Sequence, residues 1–366
     1  MNIKSLLIGS AAALAAVSGA QAADAIVAAE PEPMEYVRVC DAFGTGFFYI
    51  PGTETCLKIG GFVRFQTSFG RDEIGDFFQG KDNDRSDWDA HTLVDINFDA
   101  RTDTELGTLR SFINIEAASG GKGATTLLPV DPTDPTLGVY SASSRAGQSF
   151  YIDEAFIELG GFKVGRFYSW WDSGINGEND SLGNVTNFDS IAYTYDGGTW
   201  RAGISLDELD GQGIDTTVAG SGSHHDIGVA ATVGFSLGGV NLDILGGYDN
   251  WAEEGAIRAI LSADLGPGTF QLAGIWASDP NTYWAASEWT VAASYAFKAT
   301  EKLTITPGAQ YFNNVEFGND DAWRVGLTVG YEVVNGLNLL ATADYNKVNH
   351  GGEDFTRGFL RLQRDF

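Results

Sequence analysis

The sequence predicts an all-β fold: a 16-stranded antiparallel up-and-down transmembrane β-barrel with short periplasmic turns and long external loops. Three observations predict it. Hydrophobic residues recur with a period of two along most of the chain after residue 56. Short and long connections alternate between these segments. The composition is rich in glycine (47) and aromatics (12%) and poor in proline (9), as strands joined by tight turns require.

The chain opens MNIKSLLIGSAAALAAVSGAQAADA. Lys4, the apolar run from Leu6 to Val17 and the small-residue site Ala20-Gln21-Ala22 are the three parts of a secretory signal peptide cut after Ala22. The run is too short to cross a bilayer. Residues 1–22 are therefore expected to be cleaved, 23–56 to form a periplasmic leader and 57–366 the barrel. An oxidising compartment favours pairing of the two cysteines, Cys40 and Cys56. The ring they close would contribute roughly 3 kcal/mol in the chain-entropy picture. Two thiols with no histidine nearby cannot complete a zinc tetrahedron, and the spacing is not C-x-x-C.

Lys and Arg total 22 against 49 Asp and Glu, a formal charge of −27, which excludes a nucleic-acid partner. Hydrophobic residues at 43% argue against a disordered acidic chain. No later apolar run is long enough for a membrane helix.

The strands follow in order. In LKIGGFVRFQTSF, Leu57, Ile59, Val63, Phe65 and Phe69 alternate with Lys58, Arg64, Gln66 and Ser68. HTLVDINFDAR places Val94, Ile96, Phe98 and Ala100 on one face; EWTVAASYAF does so with Trp289, Val291, Ala293, Tyr295 and Phe297; AWRVGLTVGYE with Trp323, Val325, Leu327, Val329 and Tyr331. One apolar and one polar face is the antiparallel pattern. The expected spans are 57–69, 89–101, 106–117, 150–159, 162–168, 189–196, 199–206 and 226–235. The second half gives 240–249, 256–264, 268–276, 287–297, 302–312, 321–331, 337–345 and 355–366.

Short connections such as TDTE, Gly160-Gly161, Gly197-Gly198, SLGG, LGPG, KATE and EVVNG alternate with mostly longer ones, including 70–88, 118–149, 169–188 and 207–225. Such segregation belongs to a membrane barrel with turns on one side and loops on the other. Tyr193, Trp200, Tyr248, Trp276, Trp289, Tyr295, Trp323, Tyr331 and Tyr345 fall at strand ends, where interfacial girdles sit. Closure removes the strand edges that would template aggregation. With Phe366 outward, Leu362, Leu360 and Gly358 share its face, and Arg364 is the one charge among them.

The signal peptide, the block YVRVCDAFGTGFFYIPGTETCLKIGGFVRF, the TELGTL turn, AFIELGGFKVGRF and the terminus FLRLQRDF together resemble an alphaproteobacterial, Rhizobiales-type general outer-membrane porin along essentially the whole chain. The resemblance implies a trimeric sixteen-stranded barrel that passes small hydrophilic solutes and ions passively, with lipid and lipopolysaccharide around it. It implies a third external loop folded into the lumen, and Phe366 as the signal read by the barrel-assembly machinery. The cysteine block precedes the first strand, and is expected to pin the leader near the junction of the first and last strands.

Within that frame the polar parity lines the lumen. Arg64, Arg110 and Arg166 are expected on the constriction wall, with Lys58 and Arg101 nearer the periplasmic mouth and Arg357 and Arg361 beside the first strand. The third long loop, SWWDSGINGENDSLGNVTNF, carries Asp172, Glu178 and Asp180, with Asp189 just beyond. A basic wall facing an acidic loop would set a transverse field, and charge rows are how pores select ions. Each of these charges also fits an ordinary solvated lumen residue.

No catalytic or cofactor pattern emerges. His224-His225 sits in a glycine-serine loop without further ligands, and His91 and His350 stand alone. DNDRSDWD starts like a calcium loop but has Asp87 where glycine and Leu93 where glutamate are needed. Asn184-Val185-Thr186 is a sequon without meaning in a bacterial outer membrane. Asp153, Glu154 and Glu158 are read as lumen lining. Nucleophile elbows, phosphate loops and zincin motifs are absent. No cofactor, metal or enzymatic activity is expected. A substrate-selective channel with a saturable constriction site is the alternative, with Trp170-Trp171 as an aromatic track or as packing for the loop.

Overall fold

The computed structural model describes residues 38–70, 88–120, 126–131, 134–141, 149–209, 226–349 and 354–366. The expected signal peptide, residues 23–37 of the leader, residues 82–87 of the calcium-like stretch, the pair at 224–225 and His350 lie outside the described residues.

Sixteen strands close into one barrel: β1 (Cys56–Phe69), β2 (Trp88–Thr104), β3 (Gly107–Gly120), β4 (Ser149–Leu159), β5 (Phe162–Tyr168), β6 (Asn187–Asp196), β7 (Trp200–Glu208) and β8 (Ile227–Leu237). They continue as β9 (Val240–Asp249), β10 (Glu254–Leu265), β11 (Gly268–Ala277), β12 (Ser287–Lys298), β13 (Leu303–Val315), β14 (Ala322–Val334), β15 (Leu337–Val348) and β16 (Phe355–Asp365). Each pairs antiparallel with its neighbour in sequence, and β16 returns to β1 with Arg361 opposite Gln66, which closes the ring. A separate two-stranded hairpin, Thr126–Asp131 with Asp134–Ser141, lies between β3 and β4.

Alternation builds this wall inside out. Ile59, Val63 and Phe65 on β1, Ile204 and Leu206 on β7, Val325, Leu327 and Tyr331 on β14, and Leu360 and Leu362 on β16 are 42% to 52% exposed. Their alternating partners Ser205, Asp207, Arg324 and Thr328 are buried. A continuous apolar outer surface with polar groups within is stable only when hydrocarbon covers it. At one end the strands are joined by turns as tight as 105–106, 160–161, 238–239 and 335–336; the other end carries longer connections, among them 169–186 and 278–286.

The turn end is tied at the β1–β16 seam. Cys40 and Cys56 form a disulfide, Cα atoms 5.9 Å apart. Phe48–Tyr49 adds a two-residue strand to the start of β1. Arg101 of β2 lies over the Phe47 ring at 5.2 Å. The chain terminus completes the seam: Gly61 N–H donates to the Phe366 carbonyl (3.2 Å), and Phe366 N–H to that of Gly61 (3.0 Å). Gly61 has φ +145°, and a Cβ there would stand 2.1 Å from the Asp95 carbonyl oxygen, so only glycine fits. Arg364 shares the outward face with Leu362 and reaches the turn, where its NH1 donates to Gly336 O (3.1 Å).

Candidate channel constriction

The loop 169–186 is built to cross the lumen. Its neck is closed by Ser169 N–H donating to Thr186 O (2.7 Å), and the Ser169 hydroxyl accepts from Trp171 N–H (3.2 Å) at the start of a short 3-10 turn, Trp170–Asp172. From there the loop lies along the far inner wall. Asn176 N–H donates to Gln271 Oε1 on β11 (2.6 Å). On β13, Gln310 both accepts from Ser181 N–H (2.8 Å) and donates to Ser181 O (2.7 Å). Glu178 N–H donates to Thr328 Oγ1 on β14 (3.0 Å), and Asn179 Nδ2 to Thr342 Oγ1 on β15 (3.2 Å). Asn184 and Val185 add main-chain bonds to Tyr283 and Thr282 of loop 278–286.

Beneath the loop, the lumen face is apolar. Trp171, Ile175, Leu182, Tyr283 and Trp284 pack on Ala230, Leu245, Ala256, Ile260, Ala273 and Ile275 from β8 to β11. Gly247 makes room: a Cβ there would come within 2.6 Å of the Tyr283 ring. The two tryptophans thus pack the loop against the wall. A buried cation interrupts this surface. Arg258 on β10, 3% exposed, donates from NH2 to Trp170 O (2.6 Å) and from NH1 to Trp171 O (2.9 Å) and Leu182 O (2.5 Å). Arg324 on β14 reaches Ser181 Oγ (3.3 Å) while its Nε donates to Asn346 (2.6 Å). Neither arginine was singled out in the sequence. The signal for Arg258 was a lone charge in an apolar row, with Ala256 and Ile260 at the alternate positions.

The expected wall residues fall into separate groups. Arg361 and Arg64 come to the loop: Arg361 NH1 lies 3.5 Å from Glu178 Oε1, and Arg64 sits diagonally across the seam from Arg361. Arg101 and Arg110 share Asp99, at 2.7 Å and 3.0 Å, and Arg110 also pairs with Glu158 (3.3 Å). Arg357 pairs with Asp344 (3.2 Å). Lys58 is exposed at the start of β1 beside Gly46. Asp153 accepts from Asn114 Nδ2 (3.3 Å) and from the Tyr168 hydroxyl (2.9 Å).

Two expectations need correction. Arg166 and Asp189 pair with each other at 3.2 Å, and they do so on the outer face. Register places Arg166 opposite Ala155 and Asp189, in the row of Phe162, Val164, Ile191 and Tyr193, while Lys163, Phe167, Phe188 and Ser190 point inward. The rule that polar residues face the lumen fails in this sector because Phe156, Phe167 and Ala192 form an apolar cluster against Trp170 of the loop. Asp189 belongs to strand β6, not to the loop.

On the loop, Asp172 is exposed and accepts from Thr186 Oγ1 (3.0 Å). Asp180 turns inward, accepts from Ile175 N–H (3.4 Å) and faces the Arg324 side; burial pushes its carboxyl up to about 6. Glu178 is therefore the loop acid that meets the seam arginines. Charges fixed on either side of an aqueous gap can sort ions and orient dipolar solutes without chemistry.

The porin subfamily model matches residues 24–358. The chain belongs to the porin family. This porin is 54% identical to protein y4fJ of Sinorhizobium fredii, over 100% of this chain and 99% of the relative, and 44% identical to outer membrane protein IIIA of Rhizobium leguminosarum bv. viciae, over 98% and 93%. Among solved structures it is similar to the outer membrane channel DcaP of Acinetobacter baumannii. The TM-score is 0.62 at 14% identity, covering 87% of the porin and 99% of that chain, which is a likeness of fold.

Proposed function

We propose that this porin is an outer-membrane channel through which small hydrophilic solutes and ions diffuse passively, between loop 169–186 and the wall formed by β1 to β5 and β16. The observation that carries the reading is the Glu178–Arg361 approach, which brings a loop anchored on β10 to β15 across to the seam of a closed barrel. The rhizobial relatives support the location. The arrangement supports a channel: the site offers fixed charges bordering water, and transport down a gradient needs nothing more.

The assembled form is a homotrimer. The outward Arg166–Asp189 pair supports a protein neighbour against β5 and β6, since two charges facing hydrocarbon are costly. Lipid and lipopolysaccharide cover the remaining outer face. Phe366, 58% exposed at the turn end, is available to the barrel-assembly machinery before closure. Reconstitution into a planar bilayer tests the reading: three equal conductance steps per insertion are expected. A purified protein that produces no steps would overturn the channel, and single isolated steps would overturn the trimer.

A further inference from the structure

On the turn side of the loop, a recess of about 460 Å³ opens at the seam, lined by Arg64 and Arg361 together with Lys302, Thr304, Asn338 and Gln363. In a chain of formal charge −27 this concentration of cations stands out. We propose that the recess is a binding subsite for small oxyanions, a carboxylate or a phosphate, on their way through the channel. The inference rests on the channel reading above and names the solute class its lumen holds.

The two arginines are built alike. Arg64 Nε donates to Gln363 Oε1 (2.7 Å), and the amide of Gln363 is itself oriented by donating to Asp365 (2.7 Å). Arg361 Nε donates to Gln66 Oε1 (2.8 Å), and Gln66 is oriented by donating to Ser68 Oγ (3.0 Å). Each guanidinium also lies over a phenylalanine on its own strand, Arg64 over Phe62 at 4.5 Å and Arg361 over Phe359 at 4.4 Å. A glutamine thus occupies the inner edge of each fork and an aromatic ring covers one face. The terminal NH1 and NH2 edge is the part turned to a bidentate oxyanion, which on Arg361 competes with Glu178 for NH1. Register puts Arg64 opposite Gln363 and Gln66 opposite Arg361, so the two forks are diagonal neighbours, about 7 Å apart at the backbone.

Holding two guanidinium groups this close costs electrostatic energy unless an anion comes between them. Glu178 partly meets that need from the loop side, through a 3.5 Å contact to Arg361, and Asp95, Glu116 and Asp365 act on Arg64 at longer range. Lys302, whose Nζ reaches Val333 O (3.4 Å), adds a third cation, against Glu301 and Glu332 in the same lining. An oxyanion entering from the turn side meets a net positive lining and two preorganised forks. The size of the recess suits a small organic acid or a phosphate, not a larger solute.

The test is single-channel current in fixed KCl, with potassium phosphate or potassium succinate titrated in. Saturable reduction of the current is expected with one or both anions, and the more effective one identifies the class. In R64Q/R361Q the half-effect should move up by about tenfold or more. R64K/R361K keeps both charges but loses the forks, and should also weaken the effect while KCl current persists. R364Q removes one positive charge from the outer face of β16 and should leave the titration unchanged. A wild-type current that never saturates with either anion overturns the subsite. So does a lysine variant that titrates like wild type, or an R364Q shift as large as that of the double variant. Loss of all KCl steps in the wild type would instead be a failure of the channel reading.

Discussion

Arg258 holds the carbonyl of Leu182 from the wall beneath the loop, 2.5 Å away, although 76 positions separate them in the chain. The same guanidinium bridges Trp170 and Trp171 at the loop's other end, so one side chain gathers both limbs of the constriction loop. Replacing it with glutamine leaves buried carbonyl groups without donors, at about 1–3 kcal/mol each. The expected result for R258Q is a channel with larger and noisier single-channel conductance and a lower melting temperature, with R258K restoring only part of either. Conductance and noise equal to wild type would show that the loop stays put without this anchor.

The Cys40–Cys56 clip should act on stability and not on transport. Its ends are 16 positions apart and it holds the Phe48–Tyr49 strand on β1 beside the terminus. Removing such a ring costs roughly 3 kcal/mol. Melting the protein in detergent with reductant, or as C40S/C56S, should give a lower unfolding temperature than the untreated wild type while conductance is kept. An unchanged melting temperature would make the clip dispensable.

Asp180 gives the fold a pH dependence of known sign. Its carboxyl is raised from 3.8 to about 6 in the folded chain, first by burial. Between those values the folded state holds a proton that the unfolded state has released, so this group's contribution to stability falls as pH rises through that window and is flat above it. D180N should remove that slope from melting temperatures measured between pH 4 and pH 7. A slope identical to wild type would assign it elsewhere.

The outward pair on β5 and β6 separates two environments. If a protein neighbour covers it, R166A weakens the trimer, seen as earlier dissociation on heating in gels. Against lipid, R166L/D189L would leave assembly intact or strengthen it, because the charges would be gone from hydrocarbon. Trimers more resistant in the double variant would therefore place the subunit contact on other strands.

Much of the barrel was legible in the residues. The span 162–168 is β5 and 240–249 is β9, to the residue; 302–312 falls three residues short of the end of β13 at Val315. Lipid imposes a strict rule on one face, and tight turns fix where each hairpin reverses, so both signals are local. The outward run Phe366, Leu362, Leu360 was readable for the same reason. Arg64, Arg361 and Glu178 were expected at the constriction, and the fold sets Arg361 3.5 Å from Glu178 with Arg64 diagonal to Arg361. Arg166 was not readable: a polar residue in an alternating segment reads as inward unless the inward positions, Phe167 and Phe188, are known to be covered by protein instead of water.

By itself, then, the sequence determined the number of strands, their order and most of the outward-facing apolar residues, because each of these depends on neighbours two positions away or on a turn. Only the tertiary structure decided the inside of the barrel. Loop 169–186 docks on strands far along the chain, converts the lumen face of β8 to β11 into a hydrophobic core and leaves the half-buried Arg64 and Arg361 at the β1–β16 seam. Which charges border water depends on where that loop comes to rest, and its resting place is set by long-range hydrogen bonds to Arg258, Gln271 and Gln310 that no local pattern encodes.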